Sequence, residues 1–160
     1  MEAITSFRDE YRFLSNFYYV TVKNTFEPDG LVYPTLEHAF QAAKTTDFVI
    51  RKEIMRLATP SGAKAAGRQL TIRNDWEKVK LAVMLDLLRY KFSPEYHLVL
   101  AHKLVLTYPH ALVERNTWHD TTWGSCSCVI CSAQVNHNWL GRLLEHVRLE
   151  LMIHPSLLKG

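Results

Sequence analysis

Glu37, Gln41 and Lys44 recur at i, i+4 and i+7, a spacing that on a helix aligns a carboxylate, an amide and an amine along one face. Leu36, Phe40 and Ala43 form the apolar face beside it. With Thr35 as N-cap, Glu37 falls in the first turn, where unpaired backbone N–H groups and the helix dipole favour its ionised form. Such a carboxylate suits a base or a stabiliser of positive charge better than a proton donor. At ~1.5 Å rise per residue, Glu37 and Lys44 stand roughly 10 Å apart along the axis, so each requires another partner or a ligand. Spacing alone also describes a solvated helix face, the commonest meaning of such a pattern.

A second cluster, Trp118-His119-Asp120-Thr121-Thr122-Trp123-Gly124, sets an acid between two indoles in a stretch with no helical or strand period. Long irregular loops in compact domains often carry function. Trp123 could present an aromatic face to a base or sugar while Asp120 meets the same ligand. Equally, the tryptophans could anchor the loop and Asp120 could be a turn residue. Cys126, Cys128 and Cys131 could supply three thiolates of a tetrahedral structural zinc, with His137 or His119 as the fourth ligand, and His137 completes the candidate set. Ordinary reduced loop cysteines are the alternative. Arg8, Arg68, Arg73, Arg142 and Arg148 are candidates for bidentate recognition of phosphate. Asn16, in the apolar setting Leu14-Ser15-Asn16-Phe17, must find hydrogen-bond partners if buried, and either orients a ligand or ties down a turn.

The elements that must position these residues are mostly helical. Residues 17–22 are aromatic and β-branched, and Glu27-Pro28-Asp29-Gly30 is a turn signal before Leu31-Val32-Tyr33, so a small hairpin is expected. Thr35 then caps a helix through Ala43. Asp47 caps another ending near Ala58, and Thr59-Pro60 starts a third that Gly67 stops. Asn74 and Glu77 have the spacing of a capping box. They open a long helix with Trp76, Val79, Val83, Leu87 and Tyr90 on one face and Leu81, Met84, Leu85 and Leu88 on a second, which makes it central. Ser93-Pro94 starts a further helix. Residues 111–114 suit a short strand, and 115–136 are irregular. A last helix over about 138–152 turns Leu140, Leu143, Leu144, Val147 and Leu151 inward before His154-Pro155 ends it. The expected fold is a predominantly helical α+β domain with a small sheet, one unit over residues 1–160.

The 160 residues fit one domain with a sizeable core. The apolar fraction of 48% and charged fraction of 22% are those of a globular chain. A net charge of +3 permits a phosphate-bearing ligand without implying a nucleic-acid coat. No signal peptide or membrane span is apparent, and three bunched cysteines are not a secreted disulfide framework, so a cytoplasmic location is expected.

Together these pieces resemble the NADAR family, also called YbiA-like. The likeness rests on Phe7-Arg8, on Phe13-Leu14-Ser15-Asn16-Phe17, on the run from Tyr33 to Lys44, on Ala63-Lys64 with Gly67-Arg68, and on Asp75-Trp76 and Lys91-Phe92. It continues through Leu112-Val113-Glu114, Asp120 with Trp123-Gly124, and Asn138-Trp139-Leu140-Gly141, and so covers nearly the whole chain. Many relatives carry a short Gly-rich stretch between Gly124 and Asn138, where this chain reads SCSCVICSAQVNH.

The resemblance implies an N-glycosidase that cleaves a bond at ribose C1 without a redox cofactor. Its substrate would be ADP-ribosylated guanine in nucleic acid or a phosphoribosyl intermediate of the riboflavin pathway. It places the pocket around Glu37, Trp76, Asp120 and Trp123. Asn16, Gln41 and Lys44 are nearby candidates, and Arg8, Phe17, Arg68 and Asn138 are further substrate contacts. Glu37 or Asp120 would stabilise an oxocarbenium-like sugar or activate water. Lys44 could lose its proton in a partly desolvated pocket and attack C1 to give a Schiff base. The rival expectations are a non-catalytic module that binds ADP-ribose or nucleic acid and a zinc-stapled interaction module. The oligomeric state is open.

Overall fold

Thr35, Asp47 and Thr59 each hold extended backbone and turn a side-chain oxygen onto an N–H of the turn that follows, satisfying donors that a helix start leaves unpaired. They open α1 (Leu36–Ala42), α2 (Phe48–Met55) and α3 (Pro60–Arg68). The computed structural model describes residues 2–154. They form two compact units, one contiguous over Asn16–Lys91 and the other joining Met1–Ser15 to Phe92–Gly160. The class is α+β, with helices dominant and two sheets of two short strands.

In the contiguous unit, β1 (Tyr19–Val22) and β2 (Tyr33–Thr35) form the expected antiparallel pair, with Tyr19 opposite Thr35 and Val22 opposite Tyr33. The connection turns at Gly30, whose φ of +74° is one that residues with a side chain rarely adopt. Asp29 accepts the Tyr33 hydroxyl at 2.6 Å, and Glu27 accepts from Arg51 at 2.8 Å and Arg73 at 2.7 Å. Arg73 also grips Asp75 at 2.6 Å, so it braces this connection and is not a spare phosphate ligand. β2 runs directly into α1, all seven of whose residues are buried.

Two helix boundaries differ from the sequence expectation. α2 stops at Met55 rather than near Ala58, because its last turn tightens to i–3 bonds and His38 Nε2 meets the Leu57 carbonyl at 3.0 Å. α4 (Trp76–Lys91) begins without the Asn74 and Glu77 capping box. Its first full-turn bond runs from Val79 N–H to Asp75 O at 3.2 Å, and Glu77 instead pairs with Lys80. Arg73 fixes Asp75 in the cap position. Leu87 and Leu88 are fully buried on α4, each worth about 1.5–3 kcal/mol.

His38 is completely buried on α1, with Nδ1 2.7 Å from Thr35 Oγ1 as well as the Leu57 contact. Burial lowers its pKa, with the Leu57 carbonyl opposing. A histidine held neutral in the fold binds its proton more readily when unfolded, so its stabilising effect is present above its ordinary value of about 6.5 and is lost as pH falls below it. Urea unfolding should therefore show the protein weakening from pH 7 to 5 more steeply than His38→Gln. Parallel pH profiles would refute this.

The other unit contains a 3-10 helix (Asp9–Leu14), α5 (Pro94–Leu106), β3 (Arg115–Asn116), β4 (Ser125–Cys126) and α6 (Trp139–Ile153). The strand expected at 111–114 is an isolated bridge. Ile4 N–H donates to Ala111 O at 2.8 Å and Val113 N–H to Ile4 O at 2.9 Å, while the true strand starts at Arg115 and pairs in parallel with β4. α6 packs on α5 and buries Leu140, Leu144, Val147 and Leu151, with Leu143 only partly covered. Pro155 lies outside the described residues. Arg148 is buried and donates to Thr107 Oγ1 at 2.9 Å and His110 O at 2.8 Å, which removes it from the phosphate candidates. No helix among the described residues is long and apolar enough to cross a membrane.

Candidate active site

The contiguous unit assembles the first group of candidates around the start of α1. Glu37 is only 6% exposed; its N–H donates to Asn16 O at 3.1 Å, and its Oε1 accepts from Gln41 Nε2 at 2.7 Å. The i, i+4 spacing read from the sequence is thus a buried carboxylate–amide pair rather than a solvated face. A Cβ at position 67 would sit 1.8 Å from Gln41 Oε1. Gly67 therefore does not stop α3, which continues to Arg68. It clears space for the amide that holds Glu37.

Lys44 leaves the helical face, since α1 ends at Ala42 and Lys44 N–H bonds Gln41 O at 3.2 Å in a closing turn. Its ammonium lies 5.9 Å from the Phe40 ring centroid. Burial lowers its pKa; the charge of Glu37 opposes that, and Lys64 and Arg68 add to it. The lysine stands among one negative and two positive groups. Lys64, not singled out among the sequence candidates, also lies 5.8 Å from the Phe17 ring centroid.

Trp76 is 6% exposed and packs at 5.1 Å on Phe40, so it backs the apolar wall rather than standing open as a stacking platform. Asn16 is buried, with Nδ2 3.7 Å from Met84 Sδ, a weak acceptor. Asn16 Oδ1 and Gln41 Oε1 accept no hydrogen bond from the described residues. Buried acceptors of this kind cost about 1–3 kcal/mol each unless a ligand supplies a donor.

The second group lies in the other unit. Asp120 Oδ1 accepts from Thr122 N–H at 3.1 Å and Trp123 N–H at 2.8 Å. Asn116, 3% exposed, clamps the Asp120 backbone, donating to its carbonyl at 2.8 Å and accepting its N–H at 3.2 Å. Asp120 thus builds the turn that presents Trp123. Gly124 is required there, because a Cβ would lie 2.4 Å from Glu114 O. Asn138 has both ends of its amide engaged, donating to Leu112 O at 2.8 Å and accepting Glu114 N–H at 3.0 Å. It acts as a brace. Arg8 is exposed at the start of the 3-10 helix, and the Arg142 guanidinium lies 5.3 Å from the Trp139 ring centroid.

The cysteine cluster is real, but its histidine is not His137. The ligand atoms of His119, Cys126, Cys128 and Cys131 all lie within 4.8 Å of one another, a group able to hold a metal ion. His137 instead stacks on Trp139 at 6.1 Å, with ring planes 7° apart. Asn116 and Gly67 were also missed as contributors. Gly67-Arg68 offered a motif signal without its reason, and Asn116 offered none.

The NADAR domain family model matches residues 5–152, a span reaching across both units. The chain belongs to the NADAR family. Over 147 residues this NADAR chain is 39% identical to the N-glycosidase YbiA of Escherichia coli K12, covering 91% of this chain and 84% of that protein. The NMR structure of E. coli YbiA superimposes with a TM-score of 0.78 at 35% identity, covering 98% of this chain and 89% of that one. A riboflavin biosynthesis protein of Vibrio vulnificus is 30% identical over 148 residues, 91% of this chain and 37% of that longer protein. The NADAR chain is a hydrolase of the glycosidase class.

Proposed function

We propose that this enzyme hydrolyses the C1–N bond of a phosphorylated ribosylamine related to riboflavin-pathway intermediates. The observation that carries this reading is the buried Glu37 carboxylate, fixed by Gln41 beside the cationic group Lys44, Lys64 and Arg68. Departure of the base leaves positive charge on the sugar, which a preorganised carboxylate stabilises in a water-poor setting. The neighbouring cations suit a phosphate on the same sugar. Ribose hydroxyls are the donors that the free acceptors of Asn16 and Gln41 lack. The riboflavin-biosynthesis names of more distant relatives support this substrate class.

Lys44 is the nucleophile in this reading. Its lowered pKa supplies free amine at a lower pH than an ordinary lysine does. The Nζ lone pair adds to C1 as the C1–N bond breaks, and the departing base takes a proton. Ring opening gives an imine, which water hydrolyses to free sugar and amine. The three free cysteines fit a reducing compartment.

The test incubates folded protein with a phosphoribosyl aminopyrimidine and with an ADP-ribosylated guanine oligonucleotide, following released sugar by mass spectrometry. Release from the first is expected. Release from the oligonucleotide alone would move the substrate to ADP-ribosyl-guanine, and release from neither would sink the enzymatic reading. With borohydride present, the sugar should be trapped on Lys44 at a rate that rises with pH. Unimpaired turnover by Lys44→Met would remove it as nucleophile.

A further inference from the structure

The stretch that departs most from a Gly-rich connection, residues 125–137, is held by hydrogen bonds such as Cys126 N–H to Asn136 Oδ1 at 2.8 Å, with little apolar burial to add to them. Val129, Ile130 and Val135 are 91%, 71% and 74% exposed, so burial of apolar surface does not fold this segment, and small elements of this kind need a staple. Yet its start is well placed, with Cys126 and Cys131 each 3% exposed.

The geometry at the root of the loop is that of a metal clip. His119 Nδ1 is 3.3 Å from Cys131 Sγ and also 3.3 Å from Cys128 Sγ. One imidazole nitrogen would have to share its single proton or lone pair between the two sulfurs. A shared tetrahedral ion explains both contacts. Zn–S of about 2.3 Å and Zn–N of about 2.0–2.1 Å put ligand nitrogen and sulfur ~3.5 Å apart. Cys128 and Cys131 have knuckle spacing, and the Cys131 N–H donates to Cys128 Sγ at 3.3 Å, the kind of outer bond that steadies a metal-bound thiolate. His119 itself sits at φ +67°, a left-handed conformation that histidine adopts more readily than most residues.

We propose that His119, Cys126, Cys128 and Cys131 bind one zinc ion in a closed structural site that staples this loop and fixes the adjoining Asp120 turn. Three thiolates and an imidazole select zinc over hard cations such as magnesium or calcium. Binding releases the thiol protons to solvent. The consequence reaches the candidate site through one peptide bond, because ligand His119 precedes Asp120, whose carboxylate organises the Thr122 and Trp123 amides.

Metal analysis of untagged protein grown with zinc should find one zinc per chain. Replacement by cobalt should give thiolate charge-transfer absorption and tetrahedral d–d bands. His119→Ala and Cys128→Ser should each weaken metal affinity by more than about 100-fold, whereas His137→Ala should leave it unchanged. Removing the metal should speed proteinase K cleavage at Val129, Ile130 or Val135 at least tenfold, with helical circular dichroism retained. A folded protein that carries no zinc and takes up no cobalt overturns the site. Unchanged affinity in His119→Ala overturns its ligand set, and unchanged cleavage after metal removal overturns the staple. None of these readouts depends on the glycosidase reaction.

Discussion

Glu37→Gln should fold normally and turn over substrate about 10²–10⁴ times more slowly, with substrate binding little changed. The substitution keeps the shape of the side chain and an oxygen that can still accept from Gln41 Nε2, which now lies 2.7 Å from Oε1. What it removes is the negative charge. In the ground state that charge does little for the uncharged sugar ring, whereas at the transition state it meets a developing cation, so the loss should fall on kcat rather than KM. The comparison also separates the enzyme from a non-catalytic ribose reader, which would have no turnover to lose. Single-turnover assays and isothermal titration on the same preparation give both numbers. An undiminished kcat would remove Glu37 from the chemistry.

Gly67→Ala should be nearly as damaging, through a residue that contributes no side chain of its own. Within a helix, replacing glycine by alanine usually stabilises by about 0.5–1 kcal/mol. Here the new methyl would lie 1.8 Å from Gln41 Oε1 and 2.7 Å from its Cδ, inside a buried site. The amide must move, and the carboxylate it holds loses its orientation. Activity should fall about 10²-fold, as expected for a small misplacement of a reacting group, and stability should drop by roughly 1–3 kcal/mol from overpacking. With Gln41→Ala as background the collision with the amide disappears. The contact with the Cβ of residue 41 at 3.1 Å remains, and the stability cost should shrink towards zero. Urea unfolding of the four proteins measures that coupling. Equal costs in both backgrounds would show that Gly67 does not act through Gln41.

The parts of the fold that sequence reading recovered are those decided within one turn of chain. Thr35, Asp47 and Thr59 form their caps with N–H groups two or three residues ahead, so neighbouring residue types suffice to place them. The failures lie where a distant residue intervenes. Asn74 and Glu77 have capping-box spacing, but Asp75 is held by Arg73, which the distant Glu27 grips in turn. Residues 111–114 look like a strand, but among the described residues they form an isolated bridge, from Leu112 to Ile4. The site follows the same rule. Glu37 and Gln41 were legible as an i, i+4 pair, whereas their burial depends on packing against other elements of their unit. His119 and His137 were equivalent on spacing; the backbone that turns one towards sulfur and stacks the other on Trp139 decides between them. Asp120 and Asn138 carry motif positions, and the structure shows each engaged with backbone amides.

The division of the chain has a consequence for the order of events during synthesis. Asn16–Lys91 is contiguous, so every residue of the Glu37 environment within that unit has been made once the ribosome has passed α4. The other unit draws on both ends of the chain. Its bridge between Ile4 and Leu112 closes a loop of more than a hundred residues, and Asn138 must arrive before Leu112 and Glu114 gain their side-chain partner. The aspartate turn is therefore completed last, because the N–H groups of His137, Trp139 and Leu140 bond the Thr121, Thr122 and Trp123 carbonyls, whereas all four residues of the thiol cluster are made before α6.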